Sequence, residues 1–192
     1  MRYLVRLVNG GNSTPADTRA LASSAYELVR GYGADIGNLR VSRTAIELDL
    51  LLPSKESLGP ATHVLEERFG ALLNLRELDT PPPPIGVDQA IREGLGLFNE
   101  ERYWESHEAL EYAWRRTEGA EKEVLQGIIL VAAALVHLQK NQREVALGVM
   151  ARANAKLVLH QGVHFGVRIG SVCETLADMI AEGRPDFFKI EA

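Results

Sequence analysis

His107 and Glu111 stand four positions apart in the stretch Phe98-Asn99-Glu100-Glu101-Arg102-Tyr103-Trp104-Glu105-Ser106-His107-Glu108-Ala109-Leu110-Glu111-Tyr112-Ala113-Trp114. At about 100° per helical residue, Trp104, His107, Glu111 and Trp114 fall on one stripe, with Glu108 at its edge. Both tryptophans of the chain lie on that stripe, which is therefore expected to be the buried one. An imidazole and a carboxylate buried beside indoles require partners.

Two chemistries fit that requirement. In one, His107, Glu108 and Glu111, helped by Gln126, hold a divalent metal or a small ligand, and a carboxylate left off the metal serves as general base. A single histidine among carboxylates and an amide suits a labile Mg²⁺ or Mn²⁺ better than Zn²⁺. The second histidine of the metalloprotease helix signature is missing, because position 111 is Glu. In the other, His107 and Glu111 form a buried charge-assisted pair. Indole N–H groups of Trp104 or Trp114 then satisfy the remaining carboxylate oxygens. The two readings stay open at this level.

The elements that must position these groups are legible as helices from Val87 onward. Helical spacing predicts helices over 87–98, 103–116, 121–139, 143–159 and 171–181, with Phe187, Phe188 and Ile190 packing down from the tail. The third is apolar nearly all round and is expected to be central. Short connections imply antiparallel neighbours and a bundle of stacked hairpins. Counting outward from the turn at Gly119 puts Gln126 within reach of Glu111. His137 lies about 16 Å further along its helix, toward Tyr103. The ligand-binding candidates are thus Trp104, His107, Glu108, Glu111, Trp114, Gln126 and His137, and the metal candidates His107, Glu108 and Glu111.

Residues 1–79 read differently. Tyr3, Val5 and Leu7 alternate with Arg2, Leu4 and Arg6 in a strand over 2–8. Thr14-Pro15-Ala16-Asp17 opens a helix carrying Leu21, Ala25, Leu28 and Val29. Strands follow near 36–41 and 44–52, then a helix capped by Ser54 and ended by Gly70, then a strand over 72–78. The order βαββαβ predicts a ferredoxin-like sandwich, one antiparallel sheet with both helices on one side. Its open face is expected to be solvated or self-associating, with Arg2, Arg6, Arg40, Glu47, Asp49 and Arg76 pairing across strands. Thr80-Pro81-Pro82-Pro83-Pro84-Ile85-Gly86 is a stiff spacer. The fold class is α+β: residues 1–79, a linker over 80–86, and a helical bundle over 87–192.

The helical residues resemble a known family. Phe98-Asn99, Tyr103, Ser106-His107-Glu108, Leu110-Glu111, Trp114, Gln126-Gly127-Ile128, His137, Asn141, Ala153 and Leu157 are similar to the pattern of the domain of unknown function 309 family, over about residues 87–182. The resemblance implies an α-helical bundle. Some members carry the label metal-dependent hydrolase, which would point to His107, Glu108 and Glu111, then Gln126 and His137. The family usually has glycine in the turn where this sequence has Glu101.

Composition narrows the partners. With 21 Lys and Arg against 26 Asp and Glu, a net charge of -5 leaves no basic footprint for nucleic acid or for an anionic membrane. A lone Cys173 makes neither an intrachain disulfide nor a cysteine-rich zinc site. It sits in an apolar pattern that predicts a buried thiol. No apolar run reaches membrane-spanning length, and the cytoplasm is the default. A homodimer through the N-terminal sheet and a protein partner for the helical half remain in play. The two hairpins are about the size of tetratricopeptide-like units, but their residues show no clear internal repeat.

Overall fold

The computed structural model describes residues 1–80 and 83–191, so Pro81 and Pro82 of the expected spacer lie outside the described residues. The chain divides into two compact units: residues 1–83 with 139–141, and residues 84–138 with 142–192.

The first unit is mixed α and β. Its elements are β1 (Arg2–Val8), α1 (Thr18–Val29), β2 (Asp35–Val41), β3 (Ala45–Leu51), α2 (Leu58–Phe69) and β4 (Leu72–Glu77). The four strands form one antiparallel sheet in the order β2-β3-β1-β4. Tyr3, Val5 and Leu7 of β1 join Ile46, Leu48 and Leu50 of β3 in a core with Ala25 and Val29 of α1 and Ala61, Leu65 and Phe69 of α2. The alternation seen in the sequence is the physical cause, since a strand with one packed face must alternate. Pro15–Asp17 is a 3-10 turn leading into α1, and the Asp17 carboxylate accepts from the Thr14 N–H at 2.7 Å and the Thr14 hydroxyl at 2.9 Å.

Two expectations for this unit fail. Ser54 does not cap α2, which starts at Leu58 behind Ser57; Pro53 and the polar residues after it form a turn of their own. The centre of the sheet's polar face is not solvated either, although Arg2 at its edge is exposed and the expected cross-strand pairing of Arg6, Arg40, Glu47 and Asp49 is present. Arg40 is only 1% exposed, Glu47 2% and Asp49 4%. These groups tolerate burial because each meets an opposite charge across strands: Arg40 with Glu47 at 3.4 Å and with Asp49 at 3.2 Å, and Arg6 with Glu47 at 3.2 Å.

The second unit is helical: α3 (Val87–Asn99), α4 (Tyr103–Trp114), α5 (Gly119–Gln139), α6 (Arg143–Leu157) and α7 (Ile169–Glu182), followed by a segment without regular secondary structure. Between α6 and α7 lies a hairpin that the sequence did not announce, β5 (Val163–His164) with β6 (Val167–Arg168). Its turn puts Phe165 and Gly166 at positive φ, the backbone twist that tight hairpins prefer.

α3–α4 and α5–α6 are two copies of one device. Each pair is joined by a residue in the left-handed region, Glu101 at φ 62 and Asn141 at φ 59. Each is followed by a helix-entry residue of nearly the same backbone, Arg102 (φ -94, ψ 56) and Gln142 (φ -102, ψ 61). The Arg102 N–H reaches back to the Leu97 carbonyl and the Gln142 N–H to that of His137, the closure that ends helices with a left-handed residue.

Burial repeats in the same register. Ile91, Gly94, Leu95, Phe98, Ser106, Leu110, Ala113 and Thr117 are buried, and so are the residues forty positions on: Val131, Ala134, Leu135, Leu138, Ala146, Met150, Ala153 and Leu157. The sequence hid this repeat because residue identities differ while packing roles agree. Glu101 also shows that the turn keeps its left-handed form without glycine.

Candidate functional site

α4 needs a close neighbour before any of its side chains can be placed. Gly94 supplies the approach: a Cβ there would lie 2.6 Å from Leu110 Cγ, so α3 and α4 pack at a distance only glycine allows. The Ser106 hydroxyl, fully buried, donates to the Gly94 carbonyl at 2.8 Å. Tyr112 on the same helix donates its hydroxyl to the Ile85 carbonyl at 2.9 Å. The inward stripe of α4 is therefore Tyr103, Ser106, Leu110 and Ala113, continued by Thr117.

That stripe is about one position away from the expected one, and the correction reaches every candidate. Trp104, His107, Glu111 and Trp114 are half-buried and Glu108 is exposed. The physical reason is size: small residues such as Ser106 and Ala113 carry little hydrophobic signal but fit the tight contact with α3, and they take the inside. Glu111 pairs with Arg115 at 2.8 Å, their side chains 37% and 64% exposed. It does not pair with His107, whose ring makes no hydrogen bond or ion pair among the described residues.

The other expected members do not join them. Gln126 on α5 is half-buried, and Glu111 turns to Arg115, not to its amide. His137 serves its own turn, with Nδ1 2.5 Å from Gln142 Oε1. Lys122 lies over the Trp114 ring, 4.8 Å from its centroid. Among the described residues no three His, Cys, Asp or Glu side chains gather closely enough to hold a metal ion, so His107, Glu108 and Glu111 form no such set.

Of the polar groups that do converge, the sequence singles out Asn99 alone, in the Phe98-Asn99 pattern. Arg102 grips the buried Glu105 with two bonds, Nε to Oε2 at 2.7 Å and NH2 to Oε1 at 2.9 Å, and reaches Glu100 at 3.1 Å. The Glu105 carboxylate holds the Arg102 guanidinium above its ordinary pKa, against the opposing pull of burial. The Asn99 carboxamide holds Ile190 by both backbone groups, donating to its carbonyl at 2.8 Å and accepting from its N–H at 2.8 Å. Asn99 at a helix end is the one sequence signal for this clasp, since a carboxamide both donates and accepts.

Residues 91–149 match the family model described as Domain of unknown function (DUF309). The segment from α3 to α6 is similar to the DUF309 family. The match begins within α3 and ends within α6, so it takes in both left-handed turns and all of α4. Within this DUF309 region several residues that carry the family pattern have packing duties, whereas Glu108 is exposed and Glu111 pairs with Arg115. Phe98 and Tyr103 meet edge to face at 5.0 Å, Ser106 and Leu110 seat α3, and Gly127 admits Leu157, whose Cδ2 would lie 2.4 Å from an added Cβ. No curated protein matches the chain.

Proposed function

We propose that the helical unit is a scaffold of stacked helical hairpins that binds a polypeptide partner, and that its polar motif is chiefly architectural. One observation carries this reading: Asn99, Ser106 and Tyr112 spend their hydrogen bonds on backbone outside their own helix, at Ile190, Gly94 and Ile85, while Glu111 and His137 pair only with side chains of their own helix or turn. The repeated hairpin supports it, because stacked hairpins present extended surfaces and leave chemistry to no single point. The first unit, with strand order β2-β3-β1-β4, is read as a ferredoxin-like sandwich joined through a linker at 80–86. That fold hosts many functions, and no activity is assigned to it.

The metal-dependent hydrolase reading makes the opposite demand and supplies the test. Purified full-length protein is analysed for metals and then heated with Mn²⁺, Mg²⁺ or Zn²⁺. The scaffold reading expects no stoichiometric ion and no rise in Tm. A stoichiometric ion, or a rise in Tm that His107→Ala removes, would overturn it.

A further inference from the structure

The segment after α7 is bound the way a peptide is bound. α7 ends at Gly183, in the left-handed region at φ 63, and Pro185, with no N–H to donate, cannot continue it. Residues 184–191 have no regular secondary structure, yet Phe187 is 9% and Ile190 2% exposed. Phe187 stacks on Tyr103 with ring centroids 5.8 Å apart. Phe188 meets Phe98 edge to face at 5.6 Å. Asn99 then takes both backbone groups of Ile190.

The last contact is the informative one. A carboxamide that pairs with the N–H and the carbonyl of one residue recognises extended backbone whatever the side chain, while aromatic and aliphatic pockets on either side read sequence. This is the division of labour by which extended peptides are recognised, with main-chain bonds for affinity and side-chain pockets for specificity. None of these contacts depends on the segment being covalently continuous with α7.

We infer that the surface formed by Phe98, Asn99 and Tyr103 at the α3–α4 turn is a recognition site for an extended aromatic-aromatic-x-aliphatic segment of a partner protein, and that residues 187–190 are its resident pseudo-ligand. The inference rests on the scaffold reading and names its site. The resident sits at high effective concentration because it is tethered. A partner segment therefore competes only when the resident is loosened or when the partner is itself held nearby.

The probe is a fluorescein-labelled peptide of residues 184–191, read by fluorescence polarisation against the full chain. Wild type is expected to bind it weakly, and Ile190→Ala at least ten-fold more tightly, because the resident is weakened. Adding Asn99→Ala to the Ile190→Ala chain is expected to lose at least ten-fold, and a scrambled peptide not to bind. Ile190→Ala that stays folded by circular dichroism yet binds no better than wild type overturns the inference. If that variant unfolds, wild type is titrated with excess unlabelled peptide while the Ile190 amide and Asn99 side-chain NMR signals are followed. Shifts in both support the site, and no shift overturns it. A wild-type dimer by light scattering, with these signals exchanged between copies, would overturn the foreign partner in favour of a second copy. The metal test is independent: an ion bound at His107 ends the scaffold reading whatever the peptide does.

Discussion

Ser106 and Glu111 lie five positions apart on α4 and ought to respond unequally to alanine. The Ser106 hydroxyl is buried and bonded to the Gly94 carbonyl, so Ser106→Ala should cost about 1 kcal/mol, the ordinary net worth of such a bond. Glu111 shares an exposed pair with Arg115 one turn away, and Glu111→Ala should cost no more than about 0.5 kcal/mol. Urea midpoints of the two variants check both values; a Glu111→Ala loss of several kcal/mol would restore the buried pair that the sequence suggested. Asp17 offers a pH test. Hydrogen bonds from the Thr14 N–H and hydroxyl hold its carboxyl below the usual value. Because the folded pKa is the lower one, the stabilisation is present above the ordinary carboxylate range and is lost as pH falls through the folded value. An NMR titration should find the Asp17 midpoint below 3.8, and Thr14→Val should raise it.

At the scale of elements, the left-handed turns are the joints of the hairpins. Asn141 at φ 59 has a side chain favoured in that region, where Ala is strained. Asn141→Ala should therefore cost about 1 kcal/mol and Asn141→Gly almost nothing, as thermal unfolding would report. Gly94→Ala forces a methyl against Leu110 and should cost about 1–3 kcal/mol. Strands β1 and β3 and all five helices of the second unit were legible because their apolar residues recur at periods of two or 3.6. The phase of α4 was not, because its largest residues, Trp104 and Trp114, are half outside while Ser106 and Ala113 are inside. The β5–β6 hairpin was not, because two-residue strands have no period. The Asn99 clasp was hidden for another reason: its partner, Ile190, lies 91 positions away, and no local pattern predicts so distant a meeting.

Across the whole molecule, the two cores are built on different terms. The helical unit buries mostly apolar side chains, whereas the sheet unit pairs an apolar face with a buried charged one, Arg6, Arg40, Glu47 and Asp49. Glu47 is the hinge of that network because it meets two arginines. Glu47→Ala leaves desolvated guanidinium charge behind and should cost about 3–5 kcal/mol, the usual penalty for breaking a buried pair from one side. Asp49→Asn should cost less, since Arg40 keeps Glu47 and an amide oxygen still accepts. Hydrogen exchange at the β3 amides from Ile46 to Leu50 reads this unit directly. Glu47→Ala should speed their exchange by about two to three and a half orders of magnitude, ten-fold per 1.4 kcal/mol, and Asp49→Asn by less. Equal, small effects from both would mean that the charges on this face are hydrated, and that its burial costs the sheet nothing.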